Sequence, residues 1–254
     1  MRAAVGPLTG TEAGRAEHSR GAGGDTTLEL DRVAEAKVFA ELEKVAARER
    51  FSVLSEELGH RSFGADYPLV LVDPVDGSLN AKQGVPLFGL MLAVLDGPHV
   101  DDAAAGIVLN LSTGELWTAT RSGGAERAGR RIVPLPRAVP GRIELLGLES
   151  TPRALEAARP LVERASKIRI LGSMAISIAL TASGGFDTFC APIPVRVFDM
   201  AASLLILAET GGVATDLQGT PLGRLRCDLQ TRSTLLCAPT AELHREALAT
   251  LAPR

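Results

Sequence analysis

The stretch VLVDPVDGSLNAKQG, residues 70–84, decides how this chain folds, because two aspartates stand three residues apart directly after an apolar run. Residues 69–72 are all Leu or Val, which is typical of a strand that is buried on both faces. The D-P-V-D-G segment predicts a turn that ends this strand. Asp73 and Asp76 are therefore expected at the carboxyl end of a strand, where open α/β sheets commonly bind ligands.

Asp73 and Asp76 would need a counter-ion if both were ionised side by side. Two unit negative charges about 4 Å apart repel each other by roughly 4 kcal/mol at an effective dielectric constant of about 20. A hard divalent cation relieves this repulsion, and oxygen ligands favour magnesium or manganese over zinc. Gly77 and Ser78 would open a helix or tight turn whose free N–H groups can bind an anion. Together these features predict a phosphate site, although a solvent-facing β-turn is the simpler alternative.

Further carboxylates occur in three other segments of the chain. Glu56 and Glu57 follow a short strand in SEELG. Asp199, in VFDMAASLLILAETGG, opens an apolar helix, and Asp31 begins an amphipathic helix. Each has an ordinary alternative: a solvated acidic pair for the glutamates and a helix N-cap for the two aspartates. Arg196, three residues before Asp199, is either a contact for a substrate phosphate or a surface arginine at a strand end.

Strands and helices alternate in both halves of the chain, which predicts a layered α/β fold. Residues 132–141 contain three prolines and suit a connector. We place the domain boundary there, between an N-terminal domain of residues 1–137 and a C-terminal domain of residues 142–254. The predicted strands are 51–54, 69–72, 87–95, 103–109, 115–120, 143–148, 168–171, 186–190, 213–215 and 233–237. The predicted helices are 31–49, 152–166, 174–182, 199–210 and 239–251, after an opening segment with a short helix and a loop.

The composition favours a globular protein that acts on small molecules. Hydrophobic residues make up 46% of the 254 residues, while the net charge of -3 and 4% aromatic residues argue against nucleic acid as a partner. No stretch predicts a signal peptide or a membrane span. The three cysteines lack the spacing of a metal site, so we expect free thiols, a reducing compartment and a cytoplasmic location.

The ordered motifs resemble those of the inositol monophosphatase superfamily. DPVDGSLN looks like the family segment D-P-[IVL]-D-G-[TS]-x-N, and VFDMAASLLILAETGG looks like its W-D-x-A-A and E-A-G-G signature. SEELG and LGSMA are similar to two further family elements. The resemblance implies a layered αβαβα sandwich and, at a finer level, the archaeal-type enzymes that act on both inositol monophosphate and fructose 1,6-bisphosphate.

The resemblance also assigns roles to residues of this chain. It implies two or three Mg²⁺ ions, one held by Glu56, Asp73 and the Val75 carbonyl and a second by Asp73, Asp76 and Asp199. It implies that Asp31 orients the Ser78 hydroxyl, which positions the attacking water. Catalytic roles thus fall on Asp31, Glu56 and Ser78. The substrate contacts implied or expected are Asp76, Gly77, Ser78, Gly172, Ser173, Met174 and Arg196.

Some residues depart from the family pattern. Ser78 replaces the commoner threonine and keeps the hydroxyl, while Phe198 replaces tryptophan. Pro192 stands seven residues before Asp199, where inositol-specific members carry a glutamate, so strict inositol specificity is not expected. CAPIPVR, residues 190–196, formally matches the C-x5-R loop of cysteine-dependent phosphatases. Its two prolines, Pro192 and Pro194, lack the backbone N–H groups that such a loop needs to bind phosphate, so we reject that mechanism.

The sequence therefore predicts a magnesium-dependent phosphatase of a sugar or polyol phosphate monoester, with inositol 1-phosphate and fructose 1,6-bisphosphate as candidate substrates. The alternatives within the superfamily are 3′-phosphoadenosine 5′-phosphate, histidinol phosphate and NADP(H). A different alternative is a catalytically silent anion-binding module. Membranes and nucleic acids are not expected as partners, and family precedent implies a homodimer.

Overall fold

A computed structural model of the chain describes residues 1–133, 142–149 and 151–251. The strands are β1 Glu17–Arg20, β2 Thr26–Leu28, β3 Ser52–Ser55, β4 Gly59–Ser62, β5 Leu69–Asp76, β6 Gly89–Leu95, β7 Ala103–Asn110, β8 Leu116–Thr120, β9 Gly124–Arg127, β10 Arg130–Arg131, β11 Ile143–Leu148, β12 Ala165–Ile170, β13 Thr188–Arg196, β14 Val213–Thr215 and β15 Arg232–Ala238. The helices are α1 Arg2–Val5, α2 Glu29–Ala46, α3 Ser78–Gln83, α4 Pro152–Ala157, α5 Arg159–Arg164, α6 Met174–Ala182, α7 Ala201–Glu209 and α8 Ala241–Leu251.

The elements form five layers. An eight-stranded sheet has the order β10-β9-β8-β7-β6-β5-β3-β4, and a five-stranded sheet has the order β12-β11-β13-β15-β14. Helices α6 and α7 contact strands of both sheets and fill the layer between them. Helix α2 packs on β5, and α4, α5 and α8 pack on strands of the smaller sheet. This confirms the αβαβα sandwich that the family resemblance implies.

The middle layer holds the largest part of the core. Most residues of α6 and α7 are buried, as expected for helices that are apolar all round and lie between two sheets. Gly106 of β7 lies against Ala202, where an added Cβ would sit 2.9 Å from the Ala202 carbonyl oxygen. Close packing of α7 on the large sheet therefore fixes the position of its N-terminal end, which follows Asp199.

Strand β5 continues past the point where the sequence predicts its end. The expected turn at residues 73–77 was wrong, because β5 runs on to Asp76 and resumes its pairing with β6 there. Asp73 pairs with Met91 and Asp76 with Gly89, so three steps along β5 match two steps along β6. The extra residue is a β-bulge, a feature that redirects side chains and is common beside active sites.

Several other elements differ from their predicted form. The predicted helix 152–166 is two short helices, α4 and α5, followed by β12. The β1–β2 hairpin lies in a segment predicted as a loop. The C-x5-R candidate is part of strand β13, with Cys190 buried and its pKa raised to about 12 by that burial, which agrees with its rejection as a nucleophile.

The halves of the chain contribute different sheets. Strands β3–β10 come from residues 52–131 and strands β11–β15 from residues 143–238. Most of the proline-rich stretch that we take as the domain boundary, residues 134–141, lies outside the described residues, so the division into domains stays a prediction. Among the described helices, none combines the length and the apolar character that a membrane crossing requires.

Candidate active site

The bulge in β5 explains how two aspartates that are three residues apart can face the same site. In a regular strand, side chains at i and i+3 point to opposite faces of the sheet. The extra residue makes Asp73 and Asp76 equivalent to positions two apart, like their partners Met91 and Gly89, so both carboxylates lie on the same side. Asp73 Oδ1 accepts a hydrogen bond of 3.0 Å from the Val75 N–H, which holds the local bend.

Two carboxylates from distant segments join Asp73. Glu56 follows β3, the parallel neighbour of β5, and Asp199 lies in a short 3-10 helix that leads into α7. Carboxylate oxygens of Glu56, Asp73 and Asp199 all lie within 4.8 Å of one another. The structure therefore brings together three of the four carboxylates that the sequence predicts as metal ligands, and Asp76 lies beside them in the same cleft.

Burial and mutual repulsion disfavour the ionised forms of these groups. Burial is the largest cause that raises the pKa of Asp73 well above its ordinary value, and the charges of Glu56, Asp76 and Asp199 add to it. Burial likewise raises the pKa of Asp199 to about 7, against the opposing effect of Arg196. The cluster is thus short of positive charge, and a bound cation would stabilise its ionised form.

Arg196 supplies the only guanidinium among the described residues that line the cleft. Its Nε lies 2.9 Å from Asp199 Oδ2, its Nη2 pairs with Glu56, and its Nη1 lies 3.4 Å from Asp25 Oδ2. Burial lowers the pKa of Arg196, but Asp199 and Glu56 raise it by more, so Arg196 stays charged. The sequence expectation that Arg196 contacts a substrate phosphate remains a prediction, and its ion pairs with two predicted metal ligands were not foreseen.

Asp76 is held by the N-terminal end of α6. The Ser173 hydroxyl donates to Asp76 Oδ2, and the N–H groups of Met174 and Ala175 donate at 3.1 and 2.8 Å. Burial raises the Asp76 pKa to about 6 despite these hydrogen bonds. Ser173 and Met174, predicted to contact substrate, thus contact Asp76 through their hydroxyl and amide and do not line the described cleft.

Glycine is required where this loop approaches β5. Gly77 has φ +90°, and a Cβ there would lie 2.9 Å from the Gly172 carbonyl oxygen. Gly172 has φ +72°, and its own Cβ would meet the Asn80 amide at 3.1 Å. The two glycines, both predicted site residues, therefore allow the segment before α6 to pack against the start of α3.

The predicted pair of Asp31 and Ser78 is present. Ser78 Oγ lies 2.8 Å from Asp31 Oδ1 and 2.8 Å from the Val75 carbonyl oxygen. Asp31 Oδ2 accepts the Leu28 N–H at 2.9 Å, which fixes the carboxylate at the first turn of α2. Burial raises the Asp31 pKa to about 6, so this group can change protonation near neutral pH.

Two further glutamates, Glu35 and Glu57, complete the site, although the sequence predicts no catalytic or metal-binding role for either. Glu35 of α2 accepts hydrogen bonds from the Ser55 hydroxyl and, at 3.0 Å, from the Leu58 N–H, so it holds the turn that carries Glu56. Glu57 binds the Thr27 hydroxyl and lines the cleft. Its pKa is raised to about 7, mainly by burial. In the sequence, Glu35 is one of several charged residues on an amphipathic helix, so only the structure reveals that it is buried.

The candidate site lies in a cleft of about 400 Å³. Its lining is Glu17, Asp25, Thr26, Leu28, Asp31, Glu56, Glu57, Asp73, Val75, Asp76, Gly77, Ser78, Leu79, Lys82, Arg196 and Asp199. The polar lining and the excess of carboxylates suit a metal ion and a phosphorylated ligand of small size.

The donor set fits a hard divalent cation. Asp199 Oδ1 is fully buried and has no hydrogen-bond partner among the described residues. Such an atom is costly unless something satisfies it, and a cation at the Glu56–Asp73–Asp199 cluster would do so. Because all the donors are oxygens, the site suits magnesium or manganese.

Comparisons with known proteins agree with this geometry. The model of the inositol monophosphatase family matches residues 3–253. A fructose-1,6-bisphosphatase/inositol-1-monophosphatase of Methanothermobacter thermautotrophicus is 32% identical over 98% of this chain and 91% of its own. An inositol-1-monophosphatase of Mesorhizobium japonicum is 34% identical over 77% of this chain and 74% of its own.

The solved structures give the same result. The IMPase of Thermotoga maritima superposes with a TM-score of 0.78 at 26% identity, covering 99% of this chain and 93% of the other. The family match spans nearly the whole chain, and the αβαβα layers and carboxylate cluster lie within it. The chain therefore belongs to the inositol monophosphatase family and is a phosphoric monoester hydrolase.

Proposed function

We propose that this enzyme is a magnesium-dependent phosphatase of sugar or polyol phosphates, and that it accepts both inositol 1-phosphate and fructose 1,6-bisphosphate. The observation that carries the proposal is the convergence of Glu56, Asp73 and Asp199 within 4.8 Å. Similar archaeal proteins are named fructose-1,6-bisphosphatase/inositol-1-monophosphatase, which supports the choice of both substrates. Pro192 at the position of an inositol-contacting glutamate supports a broader specificity than inositol alone.

The proposed metal ligands are those that the family resemblance implies. Glu56, Asp73 and the Val75 carbonyl would hold one Mg²⁺, and Asp73, Asp76 and Asp199 a second, while the family resemblance allows for a third. Bound divalent cations would neutralise the charge of the phosphate and of the oxygens that attack and leave. Gly77 and Ser78, at the start of α3, would place their N–H groups toward the phosphate.

Asp31 and Ser78 would position the attacking water. Ser78 has one hydroxyl hydrogen and lies 2.8 Å from two acceptors, Asp31 Oδ1 and the Val75 oxygen. Whichever acceptor takes that hydrogen, the lone pairs of Ser78 Oγ remain free to accept a hydrogen from a water molecule. Glu56 or Asp31 would then accept the proton that this water loses, since both carboxylates line the cleft.

Changing Ser78 to alanine tests this assignment. We expect phosphate release to fall about 100-fold, because the group that orients the water is lost while the carboxylate cluster stays intact. Ser78→Thr keeps the hydroxyl and should retain activity within a fewfold of wild type. The measurement is kcat for both variants at saturating Mg²⁺. Equal rates for Ser78→Ala and Ser78→Thr would remove Ser78 from the mechanism.

A substrate panel tests the proposed function itself. Purified protein is assayed for phosphate release from inositol 1-phosphate, fructose 1,6-bisphosphate, 3′-phosphoadenosine 5′-phosphate, histidinol phosphate and NADP, with Mg²⁺ and with a chelator. We expect Mg²⁺-dependent release from the first two at the highest kcat/KM. Preference for one of the last three would reassign the substrate, and no release from any ester would support a silent anion-binding module.

Two further properties belong to the proposal. The three cysteines, Cys190, Cys227 and Cys237, are all buried as free thiols, which is compatible with the predicted reducing cytoplasm. We also propose a homodimer on family precedent. Sedimentation velocity of the purified chain measures its oligomeric state directly, and a single monomeric species at micromolar concentration would contradict the dimer.

A further inference from the structure

A second cation of the cleft has no role in the chemistry proposed above. Lys82 follows Ser78 by four residues on α3, so the two side chains lie on the same face of that helix. Lys82 lines the same cleft as the carboxylates. Its Nζ lies 3.2 Å from Glu17 Oε1 in strand β1, at the wall formed by the N-terminal hairpin.

Lys82 differs from Arg196 in what holds it. Arg196 is almost buried and paired with two predicted metal ligands, Glu56 and Asp199. Lys82 has only Glu17 as a described charged partner, with side-chain exposures of 27% and 62%. Ion pairs this exposed contribute little to stability, so a more highly charged anion can displace Glu17 at small cost. A phosphate group, which carries between one and two negative charges near neutral pH, is such an anion.

The backbone around Lys82 is fixed, so its ammonium reaches a limited region. The Gly10 N–H donates to the Ala81 carbonyl at 3.0 Å, and Arg15 Nε donates to the Lys82 carbonyl at 2.9 Å. The N-terminal segment thus braces the end of α3 against the cleft wall. Ser78 and Lys82 are about 6 Å apart along the helix axis, so an anion bound by Lys82 would occupy a different part of the cleft from one bound at Ser78.

We propose that Lys82 binds a second phosphate group of the substrate, distant from the ester that is cleaved, and that Glu17 is the partner which this phosphate displaces. The enzyme would then prefer bisphosphorylated sugars to their monophosphates. The inference rests on the proposed function, because it assigns a specificity to the same cleft.

Two esters that differ only in the second phosphate test the inference. Fructose 1,6-bisphosphate and fructose 1-phosphate share the sugar and the 1-phosphate ester. We measure kcat/KM for each with wild type and with Lys82→Met, which keeps the length of the side chain and removes its charge. The kcat/KM for the bisphosphate divided by that for the monophosphate should fall about tenfold in Lys82→Met, mainly because KM for the bisphosphate rises.

Lys44→Met is the matched control, because Lys44 lies on α2, pairs with the exposed Glu41 and does not line the cleft. It should leave the ratio unchanged. A ratio within twofold of wild type in Lys82→Met, with both esters hydrolysed, overturns the role of Lys82 and leaves the proposed function intact. Failure of wild type to release phosphate from either ester overturns both.

Discussion

Replacing Asp73 with asparagine is expected to lower phosphate release by at least about 1000-fold while leaving the fold intact. Asp73 is the carboxylate that would bridge two cations, and an amide cannot supply the lost charge in the most buried part of the cluster. The charges of Glu56, Asp76 and Asp199 add to burial in raising the pKa of Asp73, so the same change removes one partner of this repulsion. Without metal, Asp73→Asn should therefore unfold at a temperature equal to or above that of wild type.

Thermal unfolding with and without Mg²⁺ checks both halves of this prediction. Wild type should gain stability from Mg²⁺ by ligand linkage, and Asp73→Asn should lose most of that gain. Asp66→Asn is the matched control, since Asp66 is exposed in the loop before β5 and has no described role. Normal turnover in Asp73→Asn would end the assignment of Asp73 as a ligand. Loss of the cooperative unfolding transition in this variant would show that Asp73 has a structural role.

The sequence predicted the elements whose signals are local. Strand β11 and helix α6 have the predicted bounds, Ile143–Leu148 and Met174–Ala182. For α6 the reasons lie next to it in sequence: Ser173 caps its first turn by accepting the Ile176 N–H at 3.3 Å, and Gly184 follows its last turn with φ +73°. An apolar sequence between such signals leaves few alternatives to a buried helix.

The features that the sequence could not predict depend on partners far away in the chain. The β5 bulge exists because Asp73 and Asp76 pair with Met91 and Gly89, and single-strand patterns contain no information on register. The β1–β2 hairpin has four exposed polar residues in its first strand, so it lacks a hydrophobic signal. The pairing of Asp76 with the start of α6 joins positions almost 100 residues apart.

The same distinction applies to the candidate site. Motif order placed Asp31, Glu56, Asp73, Asp76 and Asp199 together, and the structure puts all of them in one cleft. What the motifs did not contain was the environment of each group. Ser173 holds a carboxylate, Arg196 pairs with two others, and Glu35 supports the Glu56 turn from behind. The residue types in the motifs were thus enough to predict the kind of chemistry, whereas the partners that balance each charge became visible only in the structure.

Removal of metal is expected to abolish phosphate release and to change stability in a way that depends on pH. The folded-state pKa values of Asp76 and Asp199 are raised to about 6 and about 7 from an ordinary 3.8. A raised folded-state pKa contributes stability below the unfolded pKa, and this contribution is lost as pH rises through the folded value. Metal-free protein should therefore become less stable between pH 5 and pH 8.

Magnesium reverses this trend, because it binds the ionised carboxylates and competes with protons for them. Each pKa unit corresponds to about 1.4 kcal/mol. The increase in melting temperature caused by Mg²⁺ should therefore be at least about 5 °C larger at pH 8 than at pH 5. His244, which is buried with a lowered pKa, titrates in both conditions and cancels in the difference.

Differential scanning fluorimetry of wild type and Asp73→Asn, each with Mg²⁺ and with a chelator at several pH values, measures this difference. In wild type, the difference in melting temperature between Mg²⁺ and chelator, here called the gap, should widen as pH rises. In Asp73→Asn the gap should be small at every pH, because the cluster has lost both a ligand and a source of repulsion. A wild-type gap that stays constant from pH 5 to pH 8 would mean that these buried carboxylates do not bind the ion.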